Sequence, residues 1–166
     1  MSADPTAIPI QFDPRAQRMT GVTAHGDVPF DVPFISQIDD TLWVGGCTDG
    51  LILPRDIEHL VSLYPWESYR QSGELKSLLC VRMYDSLDQA LDQVKAISAW
   101  VNSCRADGPT LVHCQAGLNR SNLVAATALI LAGATPTEAI ETLREKRSPA
   151  VLCNTAFARW LLEEAA

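Results

Sequence analysis

Cys114 and Arg120 close the two ends of a short loop, His113-Cys114-Gln115-Ala116-Gly117-Leu118-Asn119-Arg120-Ser121, whose residues between them are all uncharged. A cysteine sulfur attacks as its thiolate, and a guanidinium is a planar fork that grips two phosphate oxygens at once. The flanks determine how those groups meet. Pro109 to Val112 is a short apolar run that reads as a strand entering the loop, and Leu123 to Ala132 is an unbroken helix former closed by Gly133. A strand-loop-helix turn aims several backbone N–H groups at one point and sets that point at the positive end of a helix dipole. That is an anion cradle, and its field also favours a thiolate at Cys114. Phosphoryl transfer to cysteine is the leading chemistry.

The string His113-Cys114-x-x-Gly117-x-x-Arg120-Ser121 resembles the HCxxGxxRS signature of the cysteine-based protein tyrosine phosphatases, and its flanks resemble the dual-specificity branch. Rhodanese-like loops also end in arginine but do not require the His113 and Ser121 flanks, and low-molecular-weight phosphatases carry their loop near the N-terminus. Leu42-Trp43-Val44-Gly45 resembles the "LYLG" strand of dual-specificity domains. The tail from Arg147 through Pro149, Asn154, Phe157 and Leu161 resembles their C-terminal pattern, with Cys153 where that pattern has proline. The matches span about residues 35–163.

The resemblance implies an α/β fold, a small central mixed sheet flanked by helices, acting on a phosphorylated protein with no metal and no cofactor. Cys114 would be the nucleophile, and the amides of Gln115, Ala116, Gly117, Leu118, Asn119 and Arg120 would hold the phosphate oxygens together with the Arg120 guanidinium. Gly117 would let the loop close, since glycine tolerates positive φ. The family's general acid lies roughly thirty residues before the nucleophile, which favours Asp85 over Asp88. Ser121 would donate to the Cys114 sulfur, and His113 would orient the loop from behind through a backbone carbonyl. In some relatives a cysteine on a neighbouring strand captures the oxidised nucleophile, a role that would fall to Cys80.

The supporting elements are legible by pattern. Residues 1–34 are rich in proline without a sustained period and predict an extended arm, with the catalytic domain over 35–166. Leu53 to Leu60 has helical spacing, whereas Leu42–Gly46, His59–Tyr64 and Leu78–Tyr84 read as strands. Ser86-Leu87-Asp88-Gln89 fits a capping box opening a helix that runs to about Asn102, with Asp88 in its first turn. Thr135-Pro136-Thr137-Glu138 fits a second, for a helix to about Lys146 whose Arg144, Lys146 and Arg147 complement the dipole. Asn154 reads as the N-cap of a last helix, and Trp100 and Trp160 as core residues.

Composition narrows the partners. A net charge of −7 argues against nucleic acid, which needs a field of Lys and Arg to replace counterions. No apolar run is long enough to span a bilayer, and the first residues lack the regions of a signal peptide. Five cysteines without a CxxC pair indicate neither a disulfide framework nor zinc, so the expected setting is the reducing cytoplasm. Two enzymatic alternatives are a phosphoinositide phosphatase, disfavoured by the absence of lysine in the loop, and an RNA 5′-phosphate phosphatase, disfavoured by the acidic charge. A non-catalytic phosphate-binding module would use the same cradle without the nucleophile or the acid.

Overall fold

The strand that delivers the loop, Thr110–His113, is buried along its whole length, so it must lie inside a sheet covered on both faces. A computed structural model, describing residues 3–71 and 73–165, places it there. The readings that touch Met1, Ser2, Ser72 and Ala166 lie outside the described residues. In chain order the elements are β1 (Ile10–Asp13), β2 (Arg18–Val22), β3 (Pro29–Pro33), β4 (Ile35–Gln37), β5 (Leu42–Gly45), β6 (His59–Ser62), β7 (Ser77–Cys80), α1 (Asp92–Arg105), β8 (Thr110–His113), α2 (Arg120–Leu131), α3 (Pro136–Lys146) and α4 (Thr155–Glu164).

Strands β4-β5-β8-β6-β7 form the central mixed sheet in that order. Only β4 runs antiparallel to its neighbour; β5, β8, β6 and β7 are parallel. Their C-terminal ends therefore share one edge, where Gly45, His113, Ser62 and Cys80 stand in register. That edge is where parallel sheets present ligands. Helix α2 leaves it with Arg120 to Ala128 all buried, so it is a core helix rather than an amphipathic one. Helix α1 is fixed to it by polar bonds as well as packing: Ser98 Oγ donates to the Val124 carbonyl (3.0 Å) and Asn102 Nδ2 to that of Ala128 (2.9 Å). Helix α3 opens with the expected capping box of Thr135 and Glu138, and Asn154 caps α4.

Four expectations change. The N-terminal arm is not an extended strap: β1, β2 and β3 form an antiparallel sheet of their own. Its prolines stand at strand ends, Pro29 and Pro33, where a missing N–H is tolerated, and between them Phe30 and Val32 alternate inward. No helix forms over 53–60. Instead Ile52 bridges Arg70, and the Leu53 amide donates to the Arg70 carbonyl (2.9 Å), while Leu53, Ile57 and Leu60 bury against Cys47, Tyr69 and Leu111. The apolar spacing was helical, but a distant segment satisfied the backbone first.

Ser86 and Gln89 cap no helix. Ser86 Oγ accepts from the Asp88 amide (3.0 Å) and Gln89 binds both backbone groups of Tyr84, so they tie a turn, and α1 starts only at Asp92, without a side-chain cap. Asp88 is thus an exposed turn residue rather than a first-turn carboxylate. Trp100 is 43 % exposed on the outer face of α1, because Val94, Ile97, Ser98, Val101 and Cys104 take the inner one.

Met19, Phe30 and Val32 share one buried cluster with Leu123, Leu143 and Phe157, so the N-terminal sheet has no core separate from the rest. Met19→Ala is therefore expected to cost about 2–5 kcal/mol, the usual range for truncating a buried methionine. Urea unfolding should show one transition at a lower midpoint; two transitions would mean that the N-terminal sheet unfolds on its own.

Candidate active site

Between β8 and α2 the loop turns its carbonyls outward, and each finds a donor from another element. Gln115 O accepts from the Cys47 amide (2.9 Å) and Leu118 O from the Leu152 amide (2.9 Å). Ala116 O and Gly117 O accept from Arg147 Nη2 (2.9 Å) and Nε (2.7 Å). Asn122 Nδ2 reaches Gly117 O (2.8 Å) and Leu118 O (3.1 Å). With the carbonyls out, the N–H groups from Gln115 to Arg120 point the other way, and none has a backbone acceptor among the described residues. Helix α2 also lacks a side-chain cap, which leaves its first amides for a ligand. Gly117 has φ +70°, and a Cβ there would lie 2.5 Å from the Gly45 carbonyl carbon, so both the turn and the packing demand glycine.

Arg147 is the residue that sequence reasoning misread. It sits at the end of α3, where a cation suits the dipole, yet it turns inward and is buried, and its Nη1 also donates to Pro33 O (3.0 Å) and Ser36 Oγ (2.9 Å). Burial lowers its pKa to about 10, which still leaves it charged at neutral pH. Its only sequence signal was membership in the tail Arg147-Ser148-Pro149.

Cys114 is buried at the mouth of the loop with Sγ 3.3 Å from Ser121 Oγ. His113 lies beneath, its Nδ1 3.2 Å from the Cys114 carbonyl and its ring edge-on to Tyr69 at 5.0 Å. Tyr69 in turn donates to the Gly46 carbonyl. Arg120 places Nη1 2.9 Å from the Met83 carbonyl and 2.7 Å from the Asp4 carboxylate, with its guanidinium carbon 5.3 Å from the Tyr64 ring centre.

Asp85 stands beyond β7 on the same sheet edge. Asn119 Nδ2 donates to its Oδ2 (3.0 Å) and Asn154 Nδ2 to its Oδ1 (2.9 Å), while His25 Nε2 lies 3.3 Å from Oδ1. Asn154 therefore does two things at once, since its own Oδ1 caps α4 by accepting from Ala156 and Phe157. Asp85 lines one cavity of about 20 Å³ with Cys114, Gln115, Ala116, Leu118, Asn119 and Arg120. Asp88 does not line it. A larger cavity of about 700 Å³, bounded by Phe34, Trp43 and Ile52 among others, has no cysteine, serine, histidine or carboxylate in its wall, and its Tyr69 hydroxyl donates to the Gly46 carbonyl.

Cys80 is not beside Cys114. Strand β6 lies between β7 and β8, and Cys80 pairs with Ser62, which pairs with His113. Two strand spacings amount to about 9.6 Å, well beyond the about 7 Å between Cα atoms that a disulfide allows, so the expected bridge cannot form without backbone movement. Glu58, His59 and Asp107 gather at the opposite ends of the strands, but Lys76 Nζ stands 3.2 Å from Glu58 and 3.4 Å from Asp107 and supplies the cation.

A profile described as "Dual specificity phosphatase, catalytic domain" matches residues 55–165, about two thirds of the chain. The chain belongs to this family. It is a phosphatase domain of the dual-specificity type, consistent with the mixed sheet, the loop and the carboxylate on one edge. Three solved structures are similar in fold. Tk-PTP in its active form has a TM-score of 0.59 at 23 % identity, covering 80 % of this chain and 98 % of its own. The human tyrosine phosphatase-like serine/threonine/tyrosine-interacting protein has 0.62 at 16 %, covering 78 % and 93 %. Human DUSP28 has 0.59 at 17 %, covering 79 % and 94 %. No curated protein matches the chain.

Burial pushes the His113 pKa down to about 4, so the ring stays neutral beneath the loop. Between that value and the ordinary 6.5 the unfolded chain binds a proton that the folded one refuses, so stability falls as pH drops through this window. The loss should reach on the order of 3 kcal/mol near pH 4. Urea midpoints measured from pH 7 to pH 4 should fall more steeply for the natural protein than for His113→Asn. Parallel slopes would remove His113 as the source.

Proposed function

We propose that the chain hydrolyses phosphotyrosine on proteins, and phosphoserine and phosphothreonine as well, through a cysteinyl-phosphate intermediate. The observation that carries this reading is a single cavity lined by a thiol, a guanidinium and a doubly held carboxylate: Cys114, Arg120 and Asp85. In the first step the Cys114 thiolate attacks phosphorus, the bond to the leaving oxygen breaks, and Asp85 gives that oxygen its proton. In the second, Asp85 takes a proton from water, which attacks phosphorus and frees phosphate and the thiolate. Charge on the transferring group spreads over its equatorial oxygens, so stabilisation comes from donors already in place, the amides of Gln115 to Arg120 and the Arg120 fork. Ser121 Oγ supports the sulfur both at rest and as the leaving group.

The uncharged Gln115, Ala116, Leu118 and Asn119 favour singly over multiply phosphorylated ligands. None of the described helices is long and apolar enough to cross a membrane. A free nucleophilic thiol is suited to the reducing cytoplasm. Turnover compared on phosphotyrosine peptide, phosphothreonine peptide, phosphoinositide and RNA 5′-triphosphate tests the substrate class. Preference for either of the last two overturns it.

Cys114→Ser should abolish turnover and retain phosphate binding, because a serine hydroxyl keeps the loop's shape but is not ionised for attack. Arg120→Lys should fail as well, since a point charge cannot reproduce the two-pronged grip. Substantial hydrolysis by purified Cys114→Ser would take Cys114 out of the mechanism.

Asp85→Asn should slow hydrolysis of phosphotyrosine peptide by about 10²–10⁴-fold, the usual contribution of a positioned acid. The deficit should shrink for aryl phosphates whose leaving group is a weak base. Asp88→Asn should leave the rate near that of the natural protein. The reverse pattern would move the acid to Asp88.

A further inference from the structure

The family match begins at residue 55, yet the chain far upstream of it enters the site. Asp4 Oδ2 lies 2.7 Å from Arg120 Nη1, and both side chains are almost wholly buried, at 0 % and 4 % exposure. The other Asp4 oxygen is fixed too: Oδ1 accepts from the Thr6 amide (2.8 Å) and the Thr6 hydroxyl (2.6 Å). Thr6 Oγ1 then accepts the Asp85 amide (3.1 Å). Two residues on, the Gln115 side chain clasps both backbone groups of Ile8, at 2.9 and 2.7 Å. One short segment thus touches the arginine, the acid's backbone and the first residue of the phosphate loop.

We infer that Asp4 is a positioning residue for phosphate binding by Arg120. This rests on the reading of Arg120 as the phosphate fork. A guanidinium has five N–H donors in one plane. Asp4 and the Met83 carbonyl both take Nη1, and Tyr64 lies against the group, so two anchors and a ring fix where the plane points. Nε and Nη2 have no partner among the described residues, and together they form an edge that can take two phosphate oxygens. Arg120 borders the cavity at Cys114 and Asp4 does not, so the carboxylate orients the arginine from outside the cradle rather than filling it. Its negative charge works against an incoming anion, whereas its hold on the fork works for it. Asp4 is the only carboxylate paired with Arg120 among the described residues, and without it the fork has one anchor fewer on Nη1. Orientation outweighs the repulsion.

Inorganic phosphate binding, measured by calorimetry on the full chain carrying Cys114→Ser, separates this inference from the catalytic one because it needs no turnover. Asp4→Ala should weaken phosphate by about ten- to a hundredfold, the size of losing an oriented charge-assisted bond. Asp4→Asn keeps an acceptor without the charge and should fall between the two. The loss should nearly vanish when Arg120→Lys is already present, since a lysine offers no fork to orient. With Cys114 intact, Asp4→Asn should raise KM for p-nitrophenyl phosphate more than it lowers kcat. Tighter phosphate binding in Asp4→Ala or Asp4→Asn would show the carboxylate to be a competitor for the arginine and overturn the inference. An equal loss with and without Arg120→Lys, or a loss of thermal stability with phosphate affinity unchanged, would reduce Asp4 to a structural partner and overturn it too. Hydrolysis by Cys114→Ser would refute the proposed nucleophile and leave these comparisons standing.

Discussion

A loop that leaves six consecutive N–H groups without backbone acceptors must send its carbonyls elsewhere, and the elements around it answer that demand. The donors come from the residue after β5 and its glycine turn (Cys47), the end of α3 (Arg147), the first turn of α2 (Asn122) and the segment before α4 (Leu152). All but Asn122 are remote in sequence, so the cradle is shaped by tertiary structure before any ligand arrives. That matters for phosphoryl transfer, where donors fixed in advance cost no reorganisation in the transition state. The arrangement is not free. Asn122 spends its amide N–H groups on two carbonyls and leaves its own Oδ1 buried without a partner among the described residues, a cost of about 1–3 kcal/mol for an orphaned acceptor. Leu152 likewise holds φ at +59°, a left-handed conformation that a leucine adopts only under constraint, at the residue whose amide meets Leu118.

What could be read from the sequence was whatever is local. The loop string sits in nine consecutive residues, and the capping box of α3 in four. The strand feeding Cys114 and the helix leaving Arg120 were legible because uninterrupted apolar residues have few other uses. Long-range satisfaction was not legible. Leu53 to Leu60 has helical spacing, but the spacing records only that Leu53, Ile57 and Leu60 are buried, and a bridge to Arg70 buries them equally well. Ser86 and Gln89 have the right spacing for a cap, yet Tyr84 lay closer than any helix. Arg147 could not be told from an ordinary helix-end cation, because its acceptors lie 30 to 114 residues upstream. Cys80 failed for a topological reason: sequence order does not reveal that β6 separates β7 from β8.

The carboxylate site shows how the pieces are linked. Asp85 is gripped by Asn119, a member of the loop between β8 and α2, and by Asn154, the cap of α4. Asn119 Oδ1 in turn accepts the Asn154 backbone N–H (2.9 Å), which closes a triangle among the three residues. The Asp85 carboxylate is therefore fixed relative to the loop between β8 and α2 by the loop itself, independently of the exposed turn that contains Asp88. Asp88, only three residues away, belongs to that turn and has no such frame. Proximity in sequence distinguishes the two poorly, whereas their partners differ: two side-chain amides hold Asp85, and Asp88 lies in an exposed turn.

Arg120 and Arg147 flank the same loop, and their different partners assign them different work. Arg147 meets only neutral oxygens, three backbone carbonyls and a hydroxyl, which take four of its five N–H donors and engage all three nitrogens, and its charge remains as a field beneath the cradle. Arg120 meets one carboxylate and one carbonyl through a single nitrogen and keeps an edge in reserve. A buried cation whose three nitrogens are all engaged can shape a backbone and attract an anion, but it has no free edge with which to grip one. A buried cation with an unused edge can do both, provided something else prevents the plane from turning. The proposed chemistry asks for one of each: Arg147 to hold the carbonyls away, so that the amides are free, and Arg120 with an edge left for the phosphate it is proposed to grip.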